Sequence, residues 1–213
     1  MDIDGETSEE KELEIGCVQG SSLGPRLFTL YCRGLAPKIK AKLVTYADDS
    51  YDIITTDSIS GAKERIESIS TEHIRELTRL GMVVNKEKTE VVVFTPRGQV
   101  IEDFNIDGQT VTSKTCTKIL GITFDNNLTW RPHVQEVCRR VRNKIAVIKH
   151  IRPFFNTKQF LSITTAQVFG TLYYGSPVWM IPSLGSTLWK EVASVHYRAL
   201  RLVSQDYRCA IPR

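Results

Sequence analysis

The sequence predicts an α+β fold, in which an antiparallel sheet with helices on one face precedes a bundle of three helices. Short β-branched runs alternate with helical periodicity through the first 127 residues, and three helical stripes follow from Thr129 onward. Charge divides the chain at the same place. Residues 1–128 carry 15 Lys/Arg and 21 Asp/Glu, a net charge of −6, whereas residues 129–213 carry 13 and 3, a net charge of +10. We therefore expect an acidic disordered lead-in over 1–14, an α+β region over 15–127 and a basic helical region over 128–213.

The stretch GCVQGSSLGPRLFTLY at 16–31 predicts a glycine-bearing loop that leads into a helix. Pro25 suits the first helical turn, where its missing N–H costs nothing. The helix should end near Gly34. Apolar residues recur behind the proline at helical spacing, namely Leu23, Leu27, Leu30 and Tyr31.

The stretch LVTYADDSYDIITT at 43–56 predicts a β-hairpin. Leu43–Ala47 and Tyr51–Thr55 have strand composition, and the Asp-Asp-Ser sequence between them is typical of a turn. An amphipathic helix should follow over 60–80, because its apolar positions share one face and Gly81 suits its C-terminal end. Those positions are Ile66, Ile69, Ile74, Leu77 and Leu80.

Two further strand pairs are expected before the basic region. Met82–Val84 and Glu90–Phe94 should pair across the polar NKEKT turn. Residues 104–125 are β-rich, and Asp107-Gly108 is a strong hairpin-turn signal. We place this β-rich region at the edge of the sheet.

Three helices are predicted in the basic region. The first is capped by Thr129 and stopped by Pro153. The second runs from about Thr157 to Gly175, and the third covers Thr187–Val203. Their apolar stripes are expected to pack against one another as a small bundle.

Composition excludes several classes of protein. No stretch approaches the ~18 apolar residues that a membrane span needs, and the acidic start has no apolar core of a secretory signal. The five cysteines form no C-x-x-C pair and the four histidines show no ligand spacing, so a structural zinc site is not expected. A reduced intracellular compartment, nucleus or cytoplasm, fits best.

The adjacent carboxylates of Asp48 and Asp49 are the first candidate for chemistry. Carboxylates are hard oxygen ligands, and Mg²⁺ in proteins is held by one or two of them together with water and substrate phosphates. Two such ions about 4 Å apart promote nucleotidyl transfer. The alternative is that aspartate is simply a favoured turn residue.

Four motifs in order give these carboxylates a context. The loop-and-helix segment at 16–31 resembles the motif before the catalytic hairpin of non-LTR (LINE-type) retrotransposon reverse transcriptases, and TYADDS resembles that hairpin. GMVVNKEKTEVVVF at 81–94 resembles the next motif, and KILGITFDNNLTWRPHV at 118–134 the one after it. YRALRLV at 197–203 is similar to a thumb-side helix of the family. The resemblance covers nearly everything from Gly16 to Val203.

The resemblance implies the C-terminal part of a polymerase palm followed by a thumb-like helical domain. Asp48 and Asp49 would be catalytic and bind metal, with two Mg²⁺ ions expected in the complete site. Lys88 would lie near the pyrophosphate of the incoming dNTP as a candidate general acid. The nucleotide and template-binding positions would be Gln19, Gly20, Ser21 and Tyr46.

The resemblance also implies sites for the template–primer duplex, the RNA template with its DNA primer. Leu120 and Gly121 would support the primer end. The basic helix would bind backbone phosphates with a strong salt dependence and little sequence preference. Its cations stand in the sequence against Glu136 alone and are Arg131, Arg139, Arg140, Arg142, Lys144, Lys149 and Arg152. The alternative is a solvated helix face.

Some features depart from the family pattern. The expected upstream strand with a further catalytic Asp, and the fingers, do not appear in this sequence, so the chain alone is expected to be inactive. Asp52 replaces a usual strand hydrophobe and would add either a ligand or repulsion near the dyad. Three hypotheses follow: a segment of an RNA-directed DNA polymerase, a non-catalytic nucleic-acid-binding remnant, or a host-adopted RNA-binding module.

Overall fold

The computed structural model describes residues 2–3, 6–7, 16, 20–35, 38–95 and 100–205. The chain forms two compact units, Met1–Thr89 with Phe104–Val111 and Glu90–Asp103 with Thr112–Arg213. Helices and small antiparallel sheets occur together, so the predicted α+β class is confirmed. Among the described residues the sheets are four separate two-stranded ladders rather than one.

The elements have the following bounds. The strands are β1 Asp2–Ile3, β2 Glu6–Thr7, β3 Lys42–Tyr46, β4 Asp49–Ile53, β5 Asp103–Ile106, β6 Gln109–Thr112, β7 Cys116–Ile119 and β8 Ile122–Asp125. The helices are α1 Gly24–Tyr31, α2 Ile59–Arg79, α3 Arg131–Ile151, α4 Thr157–Thr164, α5 Gly170–Leu172, α6 Ser176–Trp179 and α7 Ser186–Ser204. Short 3₁₀ turns cover Cys32–Gly34, Lys86–Lys88 and Arg152–Phe154, and a π-helical segment covers Thr165–Phe169.

In the first unit, helix α2 backs the β3–β4 hairpin. Its start is capped by the Ser58 hydroxyl, which accepts the Gly61 N–H at 3.1 Å. Its end is a left-handed Gly81, and the Met82 N–H bonds back to the Leu77 carbonyl at 3.0 Å, as in a Schellman motif. A small core contains the buried side chains of Leu35, Ile39 and Ile69.

The apolar stripe predicted on α1 is present, but it is not covered by the described residues. Leu23, Leu27, Leu30 and Tyr31 are all more than half exposed. Periodicity predicts the helix because it is a local property. Whether a helix face is buried depends on what packs on it.

The strands predicted at Met82–Val84 and Glu90–Phe94 are wrong. Neither segment lies in a ladder within the described part of the chain, and Val83 is 97% exposed. The Asn85 side chain accepts the Glu87 N–H at 3.1 Å and caps the 3₁₀ turn Lys86–Lys88. This local capping satisfies the turn without a strand ladder.

The second unit holds the larger core. Val134, Val141, Phe160, Val168 and Leu172 are fully buried there. The three predicted helices are confirmed, with the second one made of α4, the π segment and α5. The Thr129 cap is wrong, because Trp130 occupies the cap position with φ 62°.

No helix that the structure describes is both long enough and apolar enough to cross a membrane.

Candidate functional site

The β3–β4 hairpin presents Asp48 and Asp49 at its tip. Tyr46 pairs with Asp49, so Ala47 and Asp48 form a two-residue turn. Ala47 has φ 51° and Asp48 does not share the positive φ, which is the sign pattern of a type II′ turn. Glycine is the usual residue at that first position, so Ala47 is a locally strained choice. Both carboxylates are exposed at a sharply defined tip.

The two faces of this hairpin differ. Because paired residues lie on the same face, Tyr46, Asp49, Val44 and Tyr51 share one side. The Tyr51 hydroxyl donates to Asp49 Oδ2 at 3.2 Å, and Tyr46 is 64% exposed. This face therefore combines open aromatic surface with a carboxylate that keeps oxygen lone pairs available.

The donor set at the tip fits divalent metal binding. Two carboxylates supply the hard oxygens that Mg²⁺ takes from protein, the remaining positions being filled by water and phosphate oxygens. Within the described ranges no group of three or more His, Cys, Asp or Glu side chains is placed to hold a metal. The share of a metal site that this hairpin offers is therefore two carboxylates.

Asp52 lies on the opposite face and points toward helix α2. Its Oδ2 is 2.9 Å from Nδ1 of His73, and both side chains are largely buried. Asp52 Oδ1 and His73 Nε2 are also buried and have no hydrogen-bond partner among the residues described. The sequence placed Asp52 near the dyad as a further ligand or a source of repulsion; its contact is instead with α2.

The structure describes part of the predicted nucleotide-binding loop. Gln19 lies outside the described residues. Gly20 is exposed with φ 85°, and the Ser21 hydroxyl accepts the Gly24 N–H at 3.0 Å. The hydroxyl therefore supports the start of α1, and the left-handed glycine sets the direction of the chain into it.

Lys88 ends the 3₁₀ turn with its side chain exposed. Over the described part of the chain its side chain makes no hydrogen bond or ion pair, and none joins it to Asp48, Asp49 or Ser21. The neighbouring Lys86 pairs with Asp107 at 3.1 Å. The structure thus brings Tyr46, Asp48 and Asp49 together and leaves Lys88 apart from their contacts.

Leu120 and Gly121 form the tip of the β7–β8 hairpin in the second unit. Both have positive φ, 46° and 86°, which gives the sign pattern of a type I′ turn. Leu120 is exposed. The predicted primer-support pair is therefore a solvent-facing turn.

Helix α3 carries its cations on its exposed side, but they are not equivalent. Arg139 and Arg140 both donate to Glu136 and hold the pKa of that carboxyl at about 2. Arg142 pairs with Glu191 at 2.9 Å, an acid that the sequence did not associate with this helix. The Lys144 ammonium donates to the Thr171 hydroxyl at 2.7 Å.

Arg131 and Lys149 are exposed and form no ion pair with any residue that the structure describes. Of the predicted α3 cations, these are the two whose side chains have no partner among the described residues.

Arg152, included in the basic set by sequence, has a different role. Its guanidinium is buried, donates to the carbonyls of Leu202 and Val203, each at 3.2 Å, and lies 4.9 Å from the Phe160 ring centroid. Its side chain links the end of α3 to α7 and is not available to a ligand. Its charge could be read from the sequence, but its carbonyl partners 50 residues away could not.

The sequence analysis also missed the hydrogen bonds by which Asp125 orders the DNNLTW segment. The buried Asp125 carboxylate accepts the backbone N–H groups of Thr129 and Trp130, at 2.9 and 2.8 Å, and the Thr129 hydroxyl. Three bonds to one carboxylate fix the loop that starts α3. The signal available in the sequence was an aspartate five residues before the capping residue Trp130.

Comparison with known proteins identifies a matching protein family. The family model described as "Reverse transcriptase (RNA-dependent DNA polymerase)" matches residues 1–124. The probable RNA-directed DNA polymerases from transposon BS and from transposon X-element, both of Drosophila melanogaster, are each 25% identical to this chain, over 209 and 207 residues. They cover 93% and 92% of the chain, and the chain covers 22% of each.

The RNA-directed DNA polymerase from mobile element jockey of Drosophila melanogaster is 25% identical over 154 residues, which are 68% of this chain and 17% of that protein. The chain therefore spans about a fifth of the length of the curated relatives it matches. No solved structure matches the chain.

Proposed function

We propose, from the premise that this chain belongs to the reverse transcriptase (RNA-dependent DNA polymerase) family, that it supplies part of the palm and a thumb-like domain of a retrotransposon polymerase. The reaction would be RNA-directed addition of deoxynucleotides to a DNA primer. The observation that carries this proposal is the exposed tip of a regular hairpin, where Asp48 lies in the two-residue turn and Asp49 begins β4. The family match favours a polymerase segment over the two alternatives, a non-catalytic nucleic-acid-binding remnant and a host-adopted RNA-binding module.

The carboxylates of Asp48 and Asp49 would hold the metal, with Mg²⁺ the expected ion. Bound there, divalent ions would neutralise charge on the attacking and leaving oxygens of the transfer. The hairpin contributes placement: its five-pair register and its tight turn fix where the carboxylates project. Tyr46, on the same face as Asp49, would flank the incoming nucleotide with its exposed ring.

The loop and turn residues would act on the nucleotide from other elements. Gly20 and Ser21 would lie beside the template base, where a left-handed glycine allows close backbone approach. Lys88, exposed and without an ion-pair partner among the described residues, is free to meet a phosphate or to donate a proton to the leaving pyrophosphate.

The thumb-like unit would grip the template–primer duplex through α3. Phosphate contacts from exposed cations give affinity without sequence preference and make it salt-dependent. The contacts support Arg131 and Lys149 as the main phosphate ligands, with Arg139, Arg140, Arg142 and Lys144 contributing less because they already have partners.

Primer extension on an RNA template tests this function. The assay uses this chain alone and this chain in place of the matching segment of the jockey polymerase, since the chain covers 17% of that protein. We expect the hybrid polymerase to add nucleotides and Asp48→Asn to reduce the rate at least about 10²-fold. Glu87→Gln, on the exposed 3₁₀ turn, is the control and should leave the rate unchanged. A folded Asp48→Asn hybrid with full activity would contradict the assignment.

A further inference from the structure

We propose that Tyr174 and Gly175 are positioning residues that hold the tip of the β7–β8 hairpin, Leu120–Gly121, in the conformation that meets the primer end. The hairpin-holding part stands on the contacts below. The primer-end part rests on the proposed function.

The first contact is a hydrogen bond to the turn itself. The Tyr174 hydroxyl donates to the Leu120 carbonyl at 2.9 Å, across 54 residues of sequence. Leu120 has φ 46°, a conformation that residues with a branched side chain rarely adopt. A bond from outside the hairpin therefore holds a turn that the leucine alone would not favour.

The second contact is between the tyrosine ring and the glycine of the turn. A Cβ on Gly121 would lie 3.2 Å from Cε1 of Tyr174. The ring thus lies directly against the Gly121 backbone. Hydroxyl and ring together contact both residues of the two-residue turn.

The third contact brings the backbone after the tyrosine against the hairpin strand. Gly175 has φ 62°, and a Cβ there would lie 2.4 Å from Cδ1 of Ile122, the first residue of β8. Ile122 is buried in the core of this unit, so it has little room to move aside. A side chain at 175 would be strained by the positive φ and would press on Ile122, so glycine suits this position for two reasons.

The backbone of Tyr174 is itself held by a hydrogen bond from the core. Nε1 of Trp179 donates to the Tyr174 carbonyl at 3.0 Å, and the Trp179 side chain is fully buried. A series of contacts therefore connects the core to the hairpin tip, from Trp179 to Tyr174 and from Tyr174 to Leu120. Each link is a single defined contact.

The place of this contact favours positioning over simple packing. Tyr174 is 57% exposed and Leu120 is 40% exposed, so their meeting buries little apolar area. Its effect is to fix the backbone of a solvent-facing turn while leaving that turn open to a ligand. A primer end that stacks on or bonds to the turn would find it already ordered, which lowers the entropy cost of binding.

The neighbouring residues supply matched controls. Tyr173 also has a bonded hydroxyl, but its partner is His196 at 2.6 Å rather than the Leu120 carbonyl. Gly185 has ordinary backbone and nothing within 4 Å of a Cβ placed there. Tyr174→Phe against Tyr173→Phe, and Gly175→Ala against Gly185→Ala, therefore separate the contact from general effects on the bundle.

The first measurement is amide hydrogen exchange at Leu120, Gly121 and Ile122 in the full chain, followed by NMR. We expect Tyr174→Phe to speed exchange at the tip about tenfold, the effect of one lost hydrogen bond. Tyr173→Phe should leave it unchanged. Exchange that is the same in Tyr174→Phe and wild type, or equally raised by Tyr173→Phe, overturns the proposal. If Gly175→Ala unfolds the unit, the Tyr174→Phe result decides alone.

The second measurement is the affinity for a fluorescent RNA–DNA hybrid with a recessed primer end, by anisotropy. Tyr174→Phe should weaken binding of the recessed end several-fold and leave binding of a blunt hybrid without that end unchanged. A faster-exchanging tip with unaltered affinity for the recessed end would limit Tyr174 to a structural role and overturn the primer-end part. A wild-type chain that binds no hybrid at all would contradict the proposed function, while the exchange result would still report on the hairpin.

Discussion

Two buried histidines, His73 and His133, show how much a single residue type depends on its surroundings. His73 faces the Asp52 carboxylate, whereas Nδ1 of His133 accepts the Thr123 N–H at 3.2 Å and its ring meets Trp179 edge-on. In both rings Nε2 is buried without a hydrogen-bond partner among the described residues. The sequence shows no ligand spacing for either, and nothing in it indicates that either ring is buried. Because each ring is buried, loss of its one hydrogen bond would leave the ring without a polar partner among the described residues.

The Asp52–His73 contact is expected to be costly to break from one side. Asp52→Leu should lower the free energy of unfolding of the first unit by about 1–3 kcal/mol, because it leaves a buried ring nitrogen unpaired. His73→Leu added to it should recover most of that loss, since two apolar groups can replace a paired couple at little cost. Hydrogen exchange of the α2 amides measures both. A double variant as unstable as the sum of the single ones would contradict this account.

His133 is expected to make the stability of the second unit sensitive to acid. Burial, with the nearby charges of Arg140 and Lys118, lowers the pKa of His133 below its ordinary 6.5. As pH falls through the unfolded-state pKa of about 6.5, the unfolded chain binds a proton that the folded unit resists, so stability falls. Glu136, with a pKa of about 2, does not titrate in this range.

Urea unfolding at pH 7.5 and 5.5, followed by tryptophan fluorescence, measures this loss. His133→Gln should reduce the difference between the two pH values. His196, whose pKa burial also lowers, contributes in the same direction, so His196→Gln is the comparison variant. A difference that is unchanged in His133→Gln would contradict the assignment of the acid sensitivity to this ring.

At the scale of elements, α3 and the 3₁₀ turn after it carry three kinds of cation. Arg152, beyond its end, is a buried structural group; Arg139 and Arg140 share Glu136; Arg131 and Lys149 are exposed without an ion pair within the described residues. Salt bridges at the surface contribute little to stability, but a paired cation has less of its charge available to a phosphate. The helix face should therefore bind unevenly along its length.

The salt dependence of duplex binding tests this difference. Arg131→Gln and Lys149→Gln should each weaken binding of an RNA–DNA hybrid and reduce the slope of log Kd against log salt by about 0.7–0.9. Arg139→Gln should change the slope less, because Arg140 still neutralises Glu136. Anisotropy titrations over a series of salt concentrations give the slopes. Equal changes in all three variants would contradict the ranking.

At the scale of the whole molecule, features set by neighbouring residues were predicted better than features that depend on contacts between distant parts of the chain. The helices follow from 3.6-residue periodicity and the turn at 107–108 from Asp-Gly, since both signals lie within a few residues. The failures concern non-local partners: Arg152 meets carbonyls 50 residues away, and the segment at 82–84 lacks the strand partner that its composition suggested. For the site, the sequence predicted the hairpin but not its register: the turn is Ala47-Asp48 rather than Asp-Asp-Ser, so Asp49 and Ser50 belong to β4. The contacts of Asp52 and Tyr174 required the packed structure.

Broadening of NMR signals by Mn²⁺ can show whether Asp48 and Asp49 form a metal-binding tip, as we propose. Mn²⁺ is a paramagnetic oxygen-binding substitute for Mg²⁺, so amides near a bound ion lose intensity. We predict that signals of residues 47–50 broaden at lower Mn²⁺ concentration than those around the isolated exposed carboxylate of Asp57, that Mg²⁺ reverses the effect, and that Asp48→Asn combined with Asp49→Asn removes it. Equal broadening around Asp57, or broadening that persists in the double variant, would contradict the claim.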